Sequence, residues 1–172
     1  MTLNIKTIET PRFVIKELYK LDLPIKGGWG YSIDDACIID KTDKSVIQGI
    51  PFDGISVEYA FIEKRNYAEL INTHYSKEVY RKTDKYYAHI EFKLIAQRMI
   101  PEKEYKVYDH IKFEIECVPE EIFDKLSELA KDPDKLDEVW KIHEKEKLIF
   151  ERECFFDITS FYGRNNDLLH QR

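Results

Sequence analysis

Glycine is scarce in this chain of 172 residues and unevenly placed. Five of its six glycines fall in residues 24–54, PIKGGWGYSIDDACIIDKTDKSVIQGIPFDG, together with two of the six prolines, five aspartates and Trp29. Glycine serves where the backbone needs φ > 0 or a close approach. Tight bends and a binding loop are therefore expected here, with Gly28 and Gly30 framing Trp29. No run of about 18 apolar residues exists to span a bilayer, and the opening MTLNIKTIET lacks the apolar centre of a signal peptide. Cysteine is limited to Cys37, Cys117 and Cys154, widely spaced and without C-x-x-C. Three free, buried thiols in a reducing, cytoplasmic setting are the expectation.

Common catalytic signatures are missing too. There is no G-x-x-x-x-G-K-[ST] phosphate loop and no G-x-S-x-G elbow. His143-Glu144 begins like a zinc-protease helix, but Lys147 stands where the second histidine belongs. Asp40 and Asp43 lack the order of a calcium loop. No metal and no cofactor are expected. The net charge of −6 argues against nucleic acid, because phosphate binding needs a basic surface, and favours a protein partner with a basic face.

What is present specifies a folded domain. With 43% hydrophobic and 35% charged residues the chain can build a core, read as one domain over 1–172 with poorly ordered ends at 1–9 and 164–172. Thr10-Pro11 opens a helix with Val14, Ile15, Leu18, Tyr19 and Leu21 on one side; a strand alternating Phe13, Ile15, Tyr19, Leu21 and Leu23 is the rival. Residues 36–39 predict a short strand buried on both faces, and 40–53 a loop. Alternation of Ile55, Val57, Tyr59 and Phe61 predicts a strand over 55–62, followed by a short helix and a polar connection at 72–84.

Residues 86–100 and 105–118 are the longest alternating segments and predict a hairpin. Ala88, Ile90, Phe92, Leu94 and Ala96 face the core in the first strand; Ile111, Phe113, Ile115 and Cys117 do so in the second. Two registers fit, with opposed indices summing to 205 or 203. Neither wins on cross-strand charge pairing. Pro119-Glu120-Glu121 starts a helix bearing Ile122, Phe123, Leu126 and Leu129. Asp132-Pro133 starts another with Leu136, Val139, Trp140 and His143 on one face. Two helices folding back on each other return the chain antiparallel to 105–118, as a strand over 148–158. The fold class is α+β: a mainly antiparallel sheet of about five strands with helices packed on one face. Phe92, Phe113, Leu126 and Phe156 are expected to share one core.

For function, the outer sheet face is expected to carry Tyr87, His89, Glu91, Tyr108 and His110. The first reading is a non-enzymatic interaction protein (an inhibitor, immunity-type protein or adaptor) binding through Trp29, Gly28 and Gly30 and through Tyr87, Tyr108 and His110. The plain alternative for that face is ordinary solvated polarity. A second reading is a small hydrolase or ligand-binding enzyme using Asp35, His89 and Glu91, with Asp34, Asp35, Asp40, Asp43 and Asp53 as candidate cation ligands. A third is a self-assembling homo-oligomer whose strand edges supply the contacts.

Overall fold

Alternation of period two builds the centre of the fold. The computed structural model describes residues 4–5, 8–71, 79–80, 86–101 and 105–162. The ends at 1–9 and 164–172, the connection at 72–84 and the hairpin tip at 102–104 lie wholly or mostly outside the described residues. In chain order the elements are β1 (Asn4–Ile5), α1 (Pro11–Tyr19), β2 (Ile25–Gly27), β3 (Cys37–Ile39), α2 (Gly54–Leu70), β4 (Val79–Tyr80), β5 (Tyr87–Pro101), β6 (Val107–Pro119), α3 (Glu120–Leu129), α4 (Leu136–Glu146) and β7 (Leu148–Asp157). β1 and β4 form a small separate ladder, and the main sheet has the order β2-β3-β7-β6-β5. Among the described residues, four helices and a five-stranded, mostly antiparallel sheet make the expected α+β domain.

The expected return strand is in place, with β7 beside β6 and antiparallel to it, pairing Ile111 with Cys154 and Phe113 with Arg152. β3 then joins β7 in parallel, Cys37 opposite Phe156. β3 is buried on one face only, since Ile38 is exposed between buried Cys37 and Ile39.

The β5–β6 register differs from both expected alternatives. Glu91 opposes Glu116 and Leu94 opposes Phe113, a sum of 207; Ala88 opposes Val118 and Gln97 opposes Ile111, sums of 206 and 208. The cause is two bulges in β5, between Ala88 and Glu91 and between Leu94 and Ala96. Each extra residue reverses the parity of every pair beyond it. Tyr87 consequently turns into the core, where it is 4% exposed, rather than lying on the outer face.

α1 forms as expected. The Thr10 hydroxyl accepts a hydrogen bond from the Phe13 N–H at 3.3 Å, Pro11 opens the helix, and Lys20 closes it with φ 56°. α2 corrects the sequence reading, because residues 55–62 are the first half of one 17-residue helix rather than a strand. Its N-cap is Asp53, which accepts from the Ser56 N–H at 3.1 Å. The inward stripe carries Glu58, Arg65, Asn66 and Glu69 among Val57, Phe61 and Ile62, all buried. Charges on the buried face erase the hydrophobic period that normally reveals a helix.

α2 lies on the sheet face that presents Ile111, Phe113, Ile115, Cys154 and Phe156, with Phe61 edge-on to Phe156 at 5.5 Å. Phe92 meets Phe113 at 6.1 Å, as expected. Leu126 does not join them. It is buried instead beside α4, outside the main core. All three cysteines are free and buried. Burial pushes the Cys154 and Cys117 thiols up to about 12 and Cys37 well above its usual range.

One buried acid pair bears on stability. Glu58 and Asp109 are 1% and 4% exposed, and the Gln97 amide donates to Asp109. Burial first, and then the neighbouring Asp109 carboxylate, pushes Glu58 from 4.5 up to about 8. A carboxyl with a raised folded pKa binds its proton more tightly when folded. Its stabilisation is complete below pH 4.5 and is lost as pH rises towards 8. Denaturant melts should therefore lose stability across this window, at up to about 1.4 kcal/mol per pH unit. Glu58→Gln should flatten the slope; an unchanged slope would show that Glu58 is ionised in the fold.

Candidate functional site

The residues singled out in the sequence separate into three places. The glycine loop joins β2 and β3 at one edge of the sheet, whereas His89 and Glu91 lie on β5 at the opposite edge. Asp35 organises the loop: its carboxylate accepts from the N–H groups of Trp29 and Tyr31 at 3.2 and 3.3 Å, and its carbonyl from Gly30 at 2.7 Å. A Cβ at position 28 would stand 1.9 Å from the Asp35 carboxylate, and one at Gly30 (φ +76°) 2.6 Å from the Cys154 sulfur. The Gly30 carbonyl accepts from the Phe155 N–H at 3.0 Å, stitching the loop to β7. This tight approach turns Trp29 inward, 5% exposed and 6.3 Å from Phe61. Trp29 is a core residue, not an exposed anchor.

Three of the other loop aspartates have local duties. Asp40 binds Lys26 and Thr42, which pull its carboxyl down to about 2; Asp43 binds Arg12 and is held well below its usual range; Asp53 caps α2. Among the described residues no three potential ligands converge on a metal position.

His110 and Tyr108 are on the outer face but buried, 9% and 6% exposed. His110 stacks on Phe155 at 4.4 Å, its Nε2 lies 2.8 Å from a Glu153 carboxylate oxygen, and Arg98 Nε donates to its Nδ1 at 3.0 Å. This is a saturated structural cluster that offers a partner little surface.

His89 and Glu91 are the expected pair that the fold does bring together, with His89 Nε2 3.2 Å from a Glu91 oxygen. His89 sits in the first β5 bulge with φ 49°, a left-handed conformation uncommon for a side-chain-bearing residue. The bulge aims its ring off the sheet, stacked 6.4 Å from Phe123 of α3 and edge-on to His143 of α4 at 5.4 Å. Trp140 stacks on His143 at 5.9 Å. These rings, with Leu126, Ser127, Ala130 and Val139, line a cleft of about 270 Å³. Among the described residues neither buried ring nitrogen of His143 has a hydrogen-bond partner, although Nδ1 lies 3.6 Å from a Glu144 oxygen. No hydrogen bond among the described residues joins the Ser127 hydroxyl to either histidine.

The two helices that make the cleft follow local rules. Acids open α3 at Glu120 and Glu121, and the Glu120 N–H donates to the Tyr86 carbonyl at 3.0 Å. The Asp132 carboxylate accepts from the Asp134 N–H, and a single 3₁₀ turn over Pro133–Lys135 leads into α4. Lys147 ties the end of α4 back to the sheet, 3.5 Å from Glu116 on β6.

No known protein family, curated protein or solved structure matches this chain.

The cleft was only half visible in the sequence. His89 and Glu91 were candidates because residues two apart on a strand share a face. Phe123, Trp140 and His143 read as core stripes of two helices, and nothing local announced that the stripes would stay open. The charge pattern was a usable signal: residues 120–146 hold ten acids against five lysines, most of the net charge of the whole chain.

Proposed function

We propose that this protein is an interaction module that seats one apolar side chain of a basic protein segment in the cleft between α3, α4 and the His89 bulge. The observation that carries this reading is α4. Its Leu136, Val139, Trp140 and His143 have the spacing of a core-facing stripe, yet no residue of α4 is buried, and Trp140 and Leu136 are 66% and 54% exposed. An apolar stripe left open beside a cleft marks an interaction surface. A volume of about 270 Å³ lies just below the range for small-molecule and cofactor sites and suits a single leucine, methionine or aromatic anchor. The acid excess around it complements lysines and arginines flanking that anchor, which favours encounter and register. A partner with a basic surface is retained from the sequence reading; the glycine loop is not.

The test is a titration with a lysine-rich peptide carrying one central leucine, against a glutamate-rich peptide of the same length. Trp140→Ala should leave folding stability within about 1 kcal/mol, because the indole is mostly solvated. It should weaken binding of the lysine-rich peptide by about 2 kcal/mol or more, as loss of an aromatic anchor does. Equal affinity for the two peptides, or unchanged affinity in Trp140→Ala, would count against the reading. His89, which lines the cleft with Ser127 and has Glu91 3.2 Å away, favours hydrolysis as a second reading. Ser127→Ala should abolish any turnover of an activated ester if that reading is correct, and leave peptide binding intact if the first is.

A further inference from the structure

We infer that the free edge of β5 pairs antiparallel with β5 of a second copy of this chain, about a two-fold axis between Leu94 and Ile95. β5 is the outermost strand of the main sheet and, among the described residues, has β6 as its one sheet neighbour. Natural edges are blunted by shortness, proline, charge or bulges. β5 carries two bulges, yet it runs 15 residues, reaches its proline only at the last position, and exposes Leu94, Ile95 and Met99 at 42%, 45% and 53%.

The second bulge selects the register. Phe92 and Leu94 lie on the core face before Ile95, and Gln97 and Met99 on that face after it; Glu91 and Lys93, then Ala96 and Arg98, lie on the outer face. In a two-fold pair, opposed residues must share a face. Across this bulge that requirement is met only when opposed indices sum to an odd number. A sum of 189 centres the axis on the bulge and opposes Phe92 with Gln97, Lys93 with Ala96 and Glu91 with Arg98. The last pair occurs twice and joins opposite charges. Sliding by two residues in one direction sets Lys93 against Arg98, and in the other sets His89 against Arg98. Within one chain, Glu91 is opposed by Glu116, and Arg98 by His110. A second copy thus supplies each with the opposite charge that its own neighbouring strand does not place directly across from it.

Sedimentation equilibrium on the full chain should give a mass near twice 20.6 kDa, with reversible dissociation on dilution. Arg98→Glu should raise the dimer dissociation constant about tenfold or more by setting two acids against two acids. Combining it with Glu91→Arg should restore the wild-type value. A second measurement does not depend on charge. Glu91→Cys mixed with Arg98→Cys should form an inter-chain disulfide under mild oxidation, which neither variant forms alone, because the native thiols are buried. A monomeric mass at every concentration would overturn the inference. So would a dimer indifferent to Arg98→Glu, or cross-linking of either variant by itself.

Discussion

Replacing Glu69 with alanine should cost about 3–5 kcal/mol, the range for breaking a buried ion pair from one side. Glu69 is fully buried on α2 between two guanidinium groups: Arg65, one turn earlier, and Arg152 on β7. Tyr31 of the glycine loop donates its hydroxyl to the same carboxylate. Arg65, also fully buried, donates to the Trp29 carbonyl at 2.9 Å and the Glu153 carbonyl at 2.7 Å, and lies 5.0 Å over the Tyr31 ring. One carboxylate therefore bridges the two cations on α2 and β7. Without it both guanidinium groups lose that buried counter-charge. Urea unfolding at neutral pH measures the effect; a loss below about 1 kcal/mol would show that the guanidiniums are compensated elsewhere.

Trp29→Ala should be similarly damaging, at about 3–5 kcal/mol, because a buried indole leaves both its transfer energy and a cavity behind. The contrast with Trp140 is diagnostic. The chain has two tryptophans, one 5% and one 66% exposed. Truncating the first should unfold the protein more easily, while truncating the second should change binding alone. A stability loss at Trp29 below about 1 kcal/mol would return the glycine loop to the candidate surface.

Much of the architecture was legible because local and global preferences agree. Alternation in 86–118 and 148–158, the proline-led start at Pro11 and the Asp132-Pro133 break each mark what the backbone does there. The failures have physical causes. α2 hid because its buried face carries Glu58, Arg65, Asn66 and Glu69, whose partners come from distant strands. The register hid because the bulges use no glycine; His89 adopts its positive φ under tertiary constraint. Trp29 misled because flanking glycines suggest openness, whereas here they permit close packing on β7. Of the cleft, His89 could be found from one strand, with Glu91 beside it, but the juxtaposition with His143 and Trp140 needed the helices to fold back over the strand end.

We propose that the acidic α3–α4 hairpin, and not the glycine loop, is the binding surface. An amide ¹H–¹⁵N NMR titration with the lysine-rich, leucine-anchored peptide tests it most directly. Shifts concentrated in residues 120–146 and around His89–Glu91, saturating at a common affinity and absent with the glutamate-rich peptide, are the expected result. Shifts centred on residues 27–35, or none at any peptide concentration, would contradict it.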